Sequence, residues 1–148
     1  MRIKHNILSV FFISIFALLG CQNTEPSQQE KEQMPKTLTG HTWSLQTLTG
    51  KDAFLGANNK PLTIEFLDEK LNYRGFGGCN NYSGRYALED NKIEFGPAMA
   101  TRKFCEKSMK QETAYFKALS EAATFKIEAN TLTISDQLNQ VLAIYTTK

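Results

Sequence analysis

From Trp43 to Tyr145 the large apolar side chains mostly alternate with polar ones. A period of two sends successive side chains to opposite faces of an extended chain, which restricts most of this stretch to half-buried strands. Leu62, Ile64 and Phe66 share one face of a strand, and Leu71 and Tyr73 open the next after the turn residues Asp68 to Lys70. Tyr86 and Leu88 face one way, and Ile93 and Phe95 resume after Asp90-Asn91, a pair that tolerates the left-handed backbone of a tight hairpin. Phe125 and Ile127, a turn at Ala129-Asn130, then Leu132 and Ile134 repeat the arrangement. The last run, VLAIY at residues 141–145, is apolar on both faces, with Leu142 and Ile144 pointing one way and Val141 and Tyr145 the other. It is expected to be covered on both sides.

One stretch breaks the alternation. In SMKQETAYFKALSEAA, residues 108–123, Met109, Thr113, Phe116, Leu119 and Ala123 recur at helical spacing, and Ser108 with Gln111 three residues on resembles a capping box. Lys110, Lys117 and Glu121 lie on the polar face of this helix. The expected fold class is therefore α+β: a curved antiparallel sheet or incomplete β-barrel with one main amphipathic helix packed on it, spanning residues 38–148. Closure would also remove exposed strand edges.

The first twenty residues read as a leader. Arg2 and Lys4 precede an apolar run from Ile7 to Leu19, about 13 residues, which suits a secretory core and is too short to span hydrocarbon. It ends in LLGC, Leu18 to Cys21, which resembles the lipobox of bacterial lipoproteins; Leu19 departs from the smaller residue usual there. The resemblance implies cleavage after Gly20, a diacylglyceryl thioether on Cys21 and often a further acyl chain, such as palmitate, on the new amine. Two or more chains anchor stably where one is marginal. Residues 21–37 follow as lipidated cysteine and tether: among Gln, Glu, Ser, Lys and Pro only Met34 is large and apolar, too little to offset ordering entropy. Gln22 lacks the aspartate that resembles an inner-membrane retention signal, so the expected location is the outer membrane, facing the periplasm.

Lys and Arg total 17 against 15 Asp and Glu, and the two excess cations are Arg2 and Lys4. A neutral mature chain without a basic run lacks the footprint of a nucleic-acid binder. The expected partners are the membrane, through Cys21, and other envelope proteins.

FGGCNNYSGRY, residues 76–86, invites three chemical readings. As a phosphate loop it fails on glycine spacing, and strands on both sides leave no helix N-terminus for an anion. As a reactive thiol Cys79 lacks a neighbouring base, because the mature chain has only His41. As a metal site Cys79, Cys105 and His41 supply three ligands at most, without paired spacing. No catalytic residue, metal or cofactor is expected. With Cys21 lipidated, two cysteines remain in an oxidising compartment, and a Cys79–Cys105 disulfide uses both. Gly77 and Gly78 then permit a bend or bulge, and Asn80 and Asn81 favour a turn or left-handed positions.

GCNNYSGRY at 78–86, IEFGPAMATRKFC at 93–105, then QE at 111–112 with Phe116 and Leu119, resembles the META domain, also called the heat-shock HslJ-like domain. The resemblance covers residues 38–148. It implies a small sheet-and-helix domain common on exported bacterial proteins, linked to stress tolerance and envelope maintenance, without established catalytic residues. The motif positions here are Gly78, Cys79, Asn80, Gly84, Tyr86, Thr101, Arg102 and Cys105. Asn80, Thr101 and Arg102 are expected to satisfy backbone groups around the bridge, and Tyr86 to pack in the sheet. The function expected is that of a non-enzymatic, membrane-anchored envelope lipoprotein. Two alternatives are a module for lipid or small hydrophobic ligands, with a cavity lined by residues such as Phe66, Tyr73, Phe116 and Ile144, and a thiol redox protein using Cys79 and Cys105.

Overall fold

The computed structural model describes residues 37–148; the expected leader, Cys21 and residues 22–36 lie outside the described residues. Ten strands and one helix follow in the order β1 (Thr42–Leu48), β2 (Lys51–Asp52), β3 (Thr63–Leu67), β4 (Asn72–Phe76), β5 (Asn81–Glu89), β6 (Lys92–Phe95), β7 (Met99–Ala100), α1 (Met109–Glu121), β8 (Thr124–Glu128), β9 (Thr131–Ser135) and β10 (Val141–Thr146). All pairings are antiparallel. Eight strands run β10-β9-β8-β6-β5-β4-β3-β1, and β1 pairs back onto β10 from Ser44↔Thr146 to Leu48↔Ala143. The sheet is therefore a closed barrel, with β2 and β7 as short additions beside β1 and β5.

This corrects the expected α+β class. The fold is a mostly β, closed eight-stranded barrel with a single short helix, rather than an open or incomplete sheet with a main helix packed on it. Alternation reveals which residues face inward but not which strands pair, and the closing contact joins the two ends of the domain. The helix comes close to β1, β6 and β10. β1 and β6 stand four places apart in the ring of eight, so α1 lies across one mouth of the barrel instead of covering a sheet face.

The inward set is large. Trp43, Leu62, Ile64, Phe66, Tyr73, Tyr115, Leu132, Ile134 and Tyr145 are all fully buried. At about 25 cal/mol per Å² of apolar surface, each such side chain contributes roughly 1.5–3 kcal/mol toward folding. The final strand departs from its expected double coverage: Val141 is exposed, and a register shift between Val141 and Ala143 brings Leu142 and Ala143 into the buried set together. Leu71 sits in the turn before β4, exposed and at φ 47°, rather than opening the strand. Asp90 and Ala129 do take the left-handed backbone of hairpin turns, at φ 56° and 49°.

Candidate functional site

The turn between β4 and β5 and the start of α1 meet at the mouth of the barrel. Gly78 reverses the chain there at φ 114°, a conformation that side chains disfavour. Asn80 and Asn81 keep negative φ, so the expected left-handed positions fall on Gly78 alone. The reversal aims two backbone N–H groups at Glu112: Cys79 N donates to Oε2 at 2.9 Å and Asn80 N at 2.7 Å. Asn80 Nδ2 donates to Oε1 at 2.7 Å. Glu112 is buried, and among the described residues no ion pair meets its carboxylate. Three N–H donors and the first turn of α1, whose dipole favours negative charge, take the place of a cation. A Cβ on Gly77 would lie 2.9 Å from Glu112 Oε2, so the glycine leaves room for the carboxylate to reach the turn.

Asn80 uses its whole amide. Its Oδ1 accepts from Thr101 Oγ1 and from Lys103 N, both at 2.7 Å, while Nδ2 also donates to Lys103 O at 3.2 Å. The loop before α1 is thus tied to the turn beside a covalent link, the Cys79–Cys105 disulfide, whose Cα atoms are 5.7 Å apart. Cys105 O then accepts from Ser108 N and Met109 N, which sets the first turn of the helix. Gln111 reaches sideways: its Oε1 accepts from Phe54 N at 3.0 Å and its Nε2 donates to Phe54 O at 2.8 Å. Consequently the expected capping box does not form, and Ser108 makes no side-chain cap bond. A tertiary partner has taken the Gln111 amide that local capping would have used.

One turn deeper, Tyr82 OH donates to Thr63 O at 2.8 Å, which obliges the hydroxyl of Tyr115, 2.6 Å away, to donate to Tyr82. Tyr145 OH donates to Tyr115 OH at 3.3 Å. Burial pushes all three phenols well above their ordinary pKa, and pushes Tyr73 up to about 12. This chain joins β5, α1 and β10 through the barrel interior.

The structure brings Gly78, Cys79, Asn80, Thr101 and Cys105 into this one constellation. Thr101 serves the Asn80 side chain through its hydroxyl and Asn81 O through its N–H. Arg102 departs from its expected role: it is exposed and bonds no backbone group around the bridge among the described residues. Tyr86 lies apart, buried with its ring edge-on to Phe66 at 5.2 Å. Gly84 also lies elsewhere, opposite Tyr73, whose ring a Cβ would meet at 2.6 Å. His41 packs edge-on to Trp43 and belongs to neither group.

Sequence reasoning missed Glu112 and Gln111 as the organising side chains. The buried stripe of α1 is Gln111, Glu112, Tyr115, Ala118 and Leu119, whereas Thr113 is exposed and Met109 and Phe116 are half-buried. Reading the stripe backward from Leu119 through Tyr115 would have reached the two polar residues.

A closed β-barrel with a helix across its mouth, stapled by a disulfide and a buried carboxylate, defines a small structural domain. The chain belongs to the META domain family, whose model matches residues 36–148. An NMR structure of a protein from Burkholderia xenovorans is 24% identical, with a TM-score of 0.58 over 75% of this chain and 83% of that one. A second NMR structure is 25% identical, with a TM-score of 0.55 over 72% and 88%. A crystal structure of a DUF4847 family protein from Bacteroides vulgatus shares the fold at 13% identity, with a TM-score of 0.51 over 74% and 93%. No curated protein matches the chain.

Proposed function

We propose that this META domain protein is a non-enzymatic lipoprotein of the bacterial envelope, anchored at Cys21 and held at the outer membrane facing the periplasm. It acts in stress tolerance or envelope maintenance by contact between its rigid outer surface and other envelope components. The observation that supports contact over chemistry is the saturation of its polar mouth. Glu112 and Asn80, the buried groups best placed to act on a substrate, use their hydrogen-bonding capacity on the protein itself. Cys79 and Cys105 sit in a disulfide rather than as nucleophilic thiols. The ligand-module alternative loses support because two of its expected cavity residues are buried against neighbouring rings, Phe66 on Tyr86 and Phe95, and Tyr73 on Tyr82 and Phe95.

The deciding experiment is mass analysis of native protein combined with membrane fractionation. A diacylglyceryl-modified Cys21 at the new N-terminus, outer-membrane recovery and no titratable thiol are expected. Cys21→Ser should abolish the lipid and release a folded domain. An uncleaved leader, or tight retention of Cys21→Ser, overturns the anchor; two fast-reacting thiols overturn the non-enzymatic reading.

A further inference from the structure

Phe104 is 82% exposed, yet it sits in one of the most firmly held loops of the domain. On one side Lys103 N and O are both bonded to the Asn80 side chain, and on the other Cys105 is held by the disulfide. The fold therefore fixes the backbone on each side of a large aromatic ring and leaves the ring in water. A lone exposed ring would need no explanation, but one held in an ordered loop among other exposed apolar side chains marks a contact surface.

The surroundings are consistent with one kind of partner. Lys103, Phe104 and Cys105 line a groove together with Ala57, Asn58 and Lys60. Phe54 and Leu55, both more than half exposed, lie at the same end, where Phe54 is bonded to Gln111 and Ala57 N donates to Gly78 O. The two segments 53–60 and 101–110 carry five cations, Lys60, Arg102, Lys103, Lys107 and Lys110, against the single acid Glu106. All six are exposed. Elsewhere in residues 37–148 the balance reverses, with eight cations against eleven acids. The domain is thus polarised, with a positive, aromatic-tipped end and a negative remainder.

We propose that this end, with Phe104 at its tip, docks onto the anionic lipid headgroups of the bilayer that holds the Cys21 anchor. Protruding apolar side chains carried on the same segments as exposed lysines suit a flat interface, where the apolar groups enter the acyl boundary and the ammonium groups meet phosphates. An amphipathic peptide helix would instead need a hydrophobic groove, whereas Asn58, Lys60, Asn81 and Lys103 line this one beside Phe76 and Phe104. Because the backbone around Phe104 is already ordered, insertion forfeits little conformational entropy. Chain length permits it: sixteen residues, 22–37, reach at most about 53–58 Å. That exceeds the roughly 30 Å that the nine-residue β5 measures along its tilted course. The proposal rests on the lipoprotein reading and adds an orientation to it: the disulfide end faces the membrane.

The test places a photoreactive benzoylphenylalanine at position 104 in the full lipidated protein, reconstituted in vesicles of phosphatidylethanolamine and phosphatidylglycerol. The same group at Leu71, exposed in the turn before β4 and so at the far end of that strand from the Gly77–Gly78 turn, is the control. After irradiation, lipid adducts at 104 should exceed those at 71 several-fold. They should fall at high salt and with Lys103→Glu plus Lys107→Glu, since each lysine near an anionic surface is worth about fivefold in partitioning. Equal lipid labelling at both positions, or adducts at 104 to a second protein copy instead of lipid, overturns docking. The N-terminal peptide of the same sample is weighed separately. A lipidated Cys21 without preference at 104 defeats docking alone, whereas a bare Cys21 defeats the anchor whatever position 104 labels.

Discussion

The two sides of the barrel are held together differently. Strands β8 and β9 form a local hairpin from Thr124↔Ser135 to Glu128↔Thr131, where Leu132 and Ile134 bury their side chains without a covalent link and the Lys126–Glu128 ion pair is solvent-exposed and adds little. Across the ring, β4 and β5 carry glycines at 75 and 84 and enclose the Gly77–Gly78 turn. Side-chain mass is missing there so that Tyr73 and Glu112 can approach the backbone. What the hairpin side gains from ordinary cross-strand packing, the glycine side must obtain from tertiary bonds made by residues distant in sequence. Glu112, Asn80 and the disulfide supply them, which explains why the motif residues concentrate on one side.

The sharpest way to break this contrast is Glu112→Ala. It strips three buried donors of their acceptor at once, and each orphaned N–H costs about 1–3 kcal/mol. Even with water entering, a loss of about 3–6 kcal/mol is expected in urea denaturation of the oxidised protein. Glu112→Gln should cost less than Glu112→Ala, since one oxygen survives, but its new NH₂ has to face a donor. A loss under about 1 kcal/mol for Glu112→Ala would mean that the turn holds itself.

Next in size is the staple. Cys79→Ala releases a link closing 26 residues, for which loop-closure entropy gives roughly 3–4 kcal/mol. For a domain of this length that corresponds to a fall in melting temperature of roughly 12–16 °C. On the proposed lipoprotein reading, export and lipidation should be untouched, because neither Cys79 nor Cys105 lies in residues 1–21. If the hydrogen bonds around Asn80 alone sufficed to hold the glycine side, the oxidised and mutant proteins would melt together.

Much of this molecule could be read from its sequence, and the unread part has one physical origin. Alternation found the inward positions Ile64, Phe66, Ile93, Leu132 and Ile134 because a strand's facing is a local property. Barrel closure was invisible, because Ser44↔Thr146 pairs residues at opposite ends of the domain and no local pattern encodes a partner. The helix was located correctly but rotated in its assigned face: hydrophobic periodicity favoured Met109 and Phe116, while the fold buried Gln111 and Glu112. Polar residues are the natural blind spot of a hydrophobic template, since their burial depends on partners that only the folded chain supplies. The motif places Asn80 near the bridge, yet its bonds to both Glu112 and Lys103 join segments that no local pattern brings together.

The finest test concerns the layer where the two sides meet, the Tyr82–Tyr115–Tyr145 chain. Tyr145→Phe removes a single long hydroxyl bond of 3.3 Å and should cost about 0.5–1.5 kcal/mol at neutral pH. Alkali should change the comparison. Burial raises the folded pKa of Tyr145, whereas an unfolded tyrosine ionises near about 10. A raised folded pKa means that stability is complete below the unfolded value and declines as pH climbs past it, because the unfolded chain sheds protons that the folded one keeps. At about pH 11 each such tyrosine costs about 1.4 kcal/mol. Phenylalanine at 145 escapes that penalty, so the gap between variant and parent in urea denaturation should close, or reverse, between neutral pH and about pH 11. A gap of the same size at both would mean that Tyr145 ionises as easily in the fold as out of it, and the hydroxyl chain linking β5, α1 and β10 would have to be abandoned.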